Sequence, residues 1–186
     1  MNPKSRVTIL RVLVLVGVIA IIACLFVFRD QVKKLQEYGY IGIFLLSIAA
    51  NATIIIPIPG VAFTTAMGAI FNPIGVAIAA GLGAALGELT GYLAGFSGQA
   101  VAERTTLYTR LTIWMKSHQN LAYGVIFLLA FIPNPAFDLA GMASGALKLP
   151  IWKFLLACAF GKILKMLMFA YAGYYSVTWL TGFLGK

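Results

Sequence analysis

Glu88, Asp138, Lys162 and Lys165 are ionisable side chains set within long apolar runs. In the hydrocarbon of a bilayer each would cost about 3 kcal/mol or more unless hydrated or paired. Glu88 stands beside a series of glycines, Gly83, Gly87, Gly91 and Gly95. Asp138 follows the Pro133-Asn134-Pro135 break by three residues. Lys162 and Lys165 are three apart, so on a helix they share one side. Two acids and two lysines at membrane depth can form an internal polar site whose carboxylates bind and release protons. They can also form neutral pairs that only hold helices together. The expected pairing is Asp138 with Lys162 or Lys165.

A second chemistry comes from two proline breaks, Pro57-Ile58-Pro59-Gly60 and Pro133-Asn134-Pro135. Proline removes a backbone donor and clashes with the preceding turn, so each break ends a helix. At membrane depth this leaves free N–H and C=O groups facing protein or a wet cavity. The helix starts after Gly60 and Pro135 would favour an anionic group such as a phosphate. Asn51 and Asn134 could add neutral hydrogen bonds, and the alternative is that the prolines only shape the fold. The chain has no Ser/His/Asp set, no HExxH and no P-loop. His118 lies in a polar connector, and Cys24 and Cys158 lie in apolar runs without nearby histidines. We therefore expect no enzyme activity, no metal and no cofactor.

The elements that position these groups are apolar. Of 186 residues, 61% are hydrophobic and only 10% charged, with a net charge of +9. Soluble domains carry about 25% charged residues. The basic residues cluster at the ends of apolar segments, which fits topology signals and contact with anionic lipid headgroups, and does not fit nucleic-acid binding. The predicted fold is an all-α integral membrane protein with transmembrane helices and two oppositely oriented re-entrant hairpins. Residues 1–37 form an anchor helix, uncleaved, and a surface connector. Residues 38–98 form the first hairpin and its helix, and residues 99–120 an amphipathic connector. Residues 121–181 form the second hairpin and a last helix that runs to about Leu180. The short arms after each break reach about 18 Å by helical rise, too little to cross. The glycines at 83, 87, 91 and 95 predict a ridge for close helix packing, within the chain or in a homo-oligomer.

The two halves share ordered words. Ile43-Phe44-Leu45-Leu46 matches Ile126-Phe127-Leu128-Leu129, and Pro57-Ile58-Pro59 matches Pro133-Asn134-Pro135. Gly68 to Pro73 matches Gly145 to Pro150, and Tyr92 to Gly95 answers Tyr171 to Gly173 in a looser register. With a cytoplasmic N-terminus, three crossings and hairpins that return to their own side, eight basic residues fall inside and four outside. The repeats then run in opposite orientations, as in many secondary transporters. The lack of a cleavable signal suits a bacterial inner membrane.

Three stretches resemble the DedA family, also called the SNARE-associated Golgi protein or VTT-domain family. They are Pro57-Ile58-Pro59-Gly60, the Gly83 to Tyr92 segment with its G-x-x-x-G-E-x-x-G-Y spacing, and Phe131 to Gly141 followed by Gly161-Lys162. The resemblance implies membrane lipid handling, as flipping of polyprenyl-phosphate carriers or phospholipid scrambling, often driven by the proton motive force. It differs where many bacterial members carry an acid in the first hairpin and an arginine before the second proline motif. This chain has Ala49-Ala50-Asn51 and Leu129-Ala130-Phe131 there. The expected function is lipid translocation, with membrane lipids as partners and Glu88, Asp138, Lys162, Lys165 and the hairpin tips along the path. A proton- or ion-coupled solute carrier and a non-transporting membrane scaffold are the alternatives.

Overall fold

The computed structural model describes residues 36–52, 60–97, 106–134 and 136–184. The anchor helix, Pro57, Pro59 and Pro135 lie outside the described residues, as do Glu103 and Arg104 of the connector. Eight α-helices follow in order among the described residues, with no strand. They are α1 (Gln36–Ala52), α2 (Gly60–Gly68), α3 (Pro73–Gly87), α4 (Leu89–Phe96), α5 (Thr106–Ser117), α6 (Gln119–Phe131), α7 (Ala136–Ala146) and α8 (Ile151–Leu184).

Local chemistry sets these boundaries. The Asn72 side chain accepts from the amides of Ile74 and Gly75, at 2.9 and 3.3 Å, and Pro73 opens α3. That is a capped N-terminus with proline at the first helical position. The end of α7 closes differently. Leu149 N–H donates to the Ser144 carbonyl and Lys148 N–H to the Gly145 carbonyl, while Lys148 has φ 52°. These are the paired bonds of a Schellman end, here with lysine where glycine is usual. Pro150 then precedes α8.

α3 and α4 are one largely apolar helix with a hitch at Glu88, together spanning the 24 residues Pro73–Phe96. Glu88 N–H still donates to the Ala84 carbonyl, and Tyr92 N–H to the Glu88 carbonyl. The Thr90 hydroxyl, however, reaches the carbonyls of Gly87 at 2.9 Å and Ala52 at 3.2 Å. A side chain that competes for a helical carbonyl is a recognised cause of local bending. The other long apolar helix is Ile151–Val177, within α8. Both are long enough to cross about 30 Å of hydrocarbon.

The packing is inverted relative to a soluble bundle. Val76, Ala77, Ala80 and Ala84 are wholly buried, while Ile74, Ile78, Leu82 and Leu86 on the same helix are exposed. On α8 the buried face carries Phe154 and Cys158, and Trp152, Leu156, Phe160, Leu164 and Met168 point outward. On α3 small residues face the neighbouring helices, and on both helices large apolar ones face out, as expected for a surface solvated by lipid.

α8 packs along α3, α2 and α6; α1 packs along α3; and α4 packs on α7. Glycines set these approaches. A Cβ at Gly68 would collide with the Ala170 backbone, and one at Gly173 with the Thr65 carbonyl. In the other half, Gly145 meets the Tyr92 carbonyl and Gly95 the Met142 carbonyl in the same way. The α4–α7 contact is tied further by the Tyr92 hydroxyl, which donates to the Leu149 carbonyl at 2.6 Å in a buried setting. Tyr92→Phe leaves that carbonyl unsatisfied, and we expect it to lower unfolding free energy by about 1–2 kcal/mol. Thermal unfolding in detergent would read this as a lowered midpoint with an unchanged elution volume.

The expected glycine ridge is only partly a ridge. Gly83 and Gly87 pack on α1 and Gly95 on α7, but a Cβ at Gly91 would meet no described atom within 4 Å. A four-residue repeat drifts by about 40° per step around a helix of 3.6 residues per turn. From Gly83 to Gly95 the face turns by about 120°, so Gly91 falls in the seam between two partners. α8 also runs four residues beyond the Leu180 expected from sequence, to Leu184.

Candidate functional site

The site lies where the two long helices meet the end of α1. The Lys162 side chain on α8 is buried, and its ammonium pairs with the Glu88 carboxylate at the α3–α4 hitch. A second N–H donates to Asn51 Oδ1 at 2.9 Å. Phe137 of α7 covers the same ammonium, its ring centroid 4.7 Å from Nζ. An ammonium has three N–H donors. Here two are hydrogen-bonded and an aromatic face lies beside the charge, so the cation is compensated without water.

Each member is placed by its own element. Asn51 is held in the last turn of α1, where its Nδ2 donates to the Ser47 carbonyl at 2.9 Å. That bond orients Oδ1 toward Lys162. Gly87 lets α1 come close enough, since a Cβ there would lie 2.8 Å from Asn51 Cβ. Thr90, through Ala52, fastens the same end of α1 to the hitch.

Asp138 does not pair as expected. Among the described residues no ion pair joins it to Lys162 or Lys165; Glu88 takes that role, and Asp138 is exposed. From Ala140 to Gly145 α7 is buried on every side, but in its first turn only Phe137 is buried, and Asp138, about 100° further round, is exposed. The aromatic ring therefore faces the lysine, and the adjacent acid faces away. Lys165, one turn beyond Lys162, is half-buried.

The second tip is built by Asn134. Its Nδ2 donates to the carbonyls of Leu129 and Ile132, at 3.0 and 2.7 Å, which closes the C-terminal end of α6. Its Oδ1 is buried and has no hydrogen-bond partner among the described residues. Pro133, preceding it, is exposed. At the first tip, Gly60 opens α2, and Thr64 donates to the Gly60 carbonyl at 2.8 Å and contacts Met166 Sδ at 3.4 Å.

Sequence reasoning selected Asn51, Glu88 and Lys162 separately but did not join them, and it missed Phe137 and Thr90. Phe137 carried a signal, since it is the aromatic between the second proline break and Asp138. Thr90 carried none beyond its place two residues after Glu88. Beside the site lies an apolar groove of about 590 Å³, walled by Phe44, Leu82 and Leu86 on one side and Trp152, Leu155 and Leu156 on the other. Ala85 and Ala159 also line it, each one helical turn before Glu88 and Lys162. No group of three or more His, Cys, Asp or Glu side chains gathers among the described residues in a way that could hold a metal. Cys158 is a buried free thiol, and His118 is exposed and stacked on Trp114.

Lipid-facing apolar helices around a compensated buried ion pair define a helical membrane protein with an internal polar site. The VTT domain model matches residues 58–175, more than half of the chain, and the chain belongs to that family. It is 36% identical over 99 residues to vacuole membrane protein KMS1 of Arabidopsis thaliana, covering 53% of this chain and 24% of that protein. Vacuole membrane protein KMS2 of the same plant is 38% identical over 99 residues, covering 53% of this chain and 23% of that protein. The chain thus aligns with only about a quarter of the length of these curated relatives. No solved structure matches it.

Proposed function

We propose that this protein translocates lipid headgroups, of phospholipids or polyprenyl phosphates, across the membrane. The observation that carries the reading is the Lys162–Glu88–Asn51 cluster, buried between two helices whose outer faces are apolar. A charged pair that can open at membrane depth gives a headgroup an alternative partner, and the apolar groove beside it suits the attached acyl chains. The relatives named above are membrane proteins by name, and lipid as cargo is proposed for this chain alone.

The architecture we propose is an inverted repeat with two re-entrant hairpins. At nine and eleven residues, α2 and α7 reach roughly 13 and 16 Å by helical rise, too short to cross. The glycine contacts support the repeat. Gly68 and Gly145 stand 77 residues apart, as do Thr65 and Met142, and their partners Tyr92 and Ala170 stand 78 apart, as do Gly95 and Gly173. Each hairpin arm thus packs on the other half's long helix through equivalent residues. Lys148 over Phe96, and Lys153 over Tyr123 and Trp152, form a basic aromatic belt at one end. With the basic-residue bias, this supports a cytoplasmic face there and a cytoplasmic N-terminus.

The test is translocation in proteoliposomes, following a headgroup-labelled lipid quenched from outside. Wild-type protein should equilibrate the label within minutes, and Lys162→Gln should slow it by at least tenfold at equal insertion. Equal rates would sink the proposed path. Flux of a labelled solute or ion without lipid movement would favour a solute carrier. Gly83, Gly87 and Gly95 are engaged in packing within the chain, which argues against that ridge as an oligomer interface.

A further inference from the structure

Asn51 and Asn134 are built alike but are not in the same state. In the register of the first hairpin arms they stand 83 residues apart, as do Phe44 and Phe127, and Ser47 and Ala130. Both side chains use Nδ2 to donate to carbonyls of their own arm. The Asn51 Oδ1 then accepts from Lys162, whereas the Asn134 Oδ1 is shut off from the surface with no donor among the described residues. An unsatisfied buried acceptor costs about 1–3 kcal/mol.

The same register indicates which donor is near. A Cβ at Gly83 would lie 3.0 Å from Ser47 Cβ, and one at Gly161 would lie 2.7 Å from Ala130 Cβ, so the first arms pack on the long helices equivalently. One turn on, Gly87 meets Ile48 and Asn51. The residue one turn beyond Gly161 is Lys165, which by this register stands opposite Phe131 and Asn134. It is half-buried, and no ion pair among the described residues includes it. Next to it Met166 holds the place of Glu88, so the second half offers Lys165 no equivalent carboxylate. The groups facing Lys165 electrostatically are Lys162, Glu88 and Asp138.

We infer that Asn134 is the resting acceptor for Lys165 in a second conformation, formed when Lys162 leaves Asn51. The two lysines, three residues apart on α8, then engage the two hairpin tips alternately. In the conformation described here Lys162 holds the first tip, and the amide oxygen of the second has no donor among the described residues. In the other, Lys165 draws the second tip onto α8 and the first is released. This rests on the inverted repeat proposed above, and it does not depend on lipid being the cargo.

The test uses Ile132→Cys in a background with Cys24→Ala and Cys158→Ala. Ile132 is 50% exposed beside Asn134, so maleimide labelling of position 132 in proteoliposomes reports the released second tip. Asn51→Leu removes the Lys162 acceptor, and labelling should fall about tenfold, the weight of one hydrogen bond to a charged group. Adding Lys165→Met, or Asn134→Leu, should restore it. Asn51→Asp keeps an acceptor and should label like the parent, which separates the switch from misfolding. Unchanged labelling in Asn51→Leu overturns the inference. Restoration by Lys165→Met but not by Asn134→Leu would assign Lys165 to Asp138 and overturn it equally. Failure of lipid movement in every variant, with this labelling pattern intact, would remove the lipid reading and leave the switch standing.

Discussion

Lys162→Met should lower the unfolding free energy of the detergent-solubilised protein by about 3–5 kcal/mol, because it leaves the Glu88 charge buried and unpaired. The double variant Glu88→Gln/Lys162→Met removes both charges, and most of the lost stability should return. Buried ion pairs contribute little net stability over a neutral pair of similar volume, since desolvation offsets most of their attraction. Transport should not return with it. That separation is the main content of the prediction. If the pair is only structural glue, the double variant is both stable and active. If the pair opens to admit a headgroup, the double variant is stable and slow. Chemical denaturation and lipid exchange, measured on the wild type, Lys162→Met and the double variant, distinguish the two. A double variant as unstable as Lys162→Met would show that Phe137 and Asn51 depend on the cation for their packing.

The legible part of this protein was its apolar character, its breaks and its ionisable residues, because each leaves a local mark. Pro73 and Asn72 mark the start of α3, and the continuation through α4 to Phe96 follows from a largely apolar run with Glu88 as its one charged residue. The family motifs contain Glu88 and Lys162, and the VTT domain match bears out the resemblance. What could not be read was partnership. Whether Lys162 meets Glu88 or Asp138 depends on which face of α7 turns inward, and Phe137 decides that by being the larger apolar neighbour of the acid. Gly91 looked identical to Gly83, Gly87 and Gly95 in spacing. Its different environment arises only when the drifting ridge passes from α1 to α7. The unsatisfied Asn134 oxygen also has no sequence signature, since it is defined by a donor that is elsewhere.

That drift yields the second large prediction. Gly95→Ala and Gly145→Ala should each be strongly destabilising, since their added methyl groups would overlap the backbone carbonyls of Met142 and Tyr92. Overpacking a close-packed contact typically costs about 1–3 kcal/mol, and carbonyl oxygens of rigid helices give way less easily than side chains. The α4–α7 contact would have to separate, and the Tyr92 bond to the Leu149 carbonyl would stretch with it. Both variants should therefore lose several degrees in unfolding midpoint. Gly91→Ala, four residues from Gly95, meets no described atom and replaces a poor helix former with the best one. It should be neutral or stabilising by up to about 1 kcal/mol. Opposite signs for two glycines of one four-residue series cannot come from helix propensity, which predicts a gain at both. They require that α4 meets α7 through Gly95 and turns Gly91 into the seam. Equal losses at Gly91 and Gly95 would instead mean that a further partner covers the seam, from the chain's other residues or from a second copy.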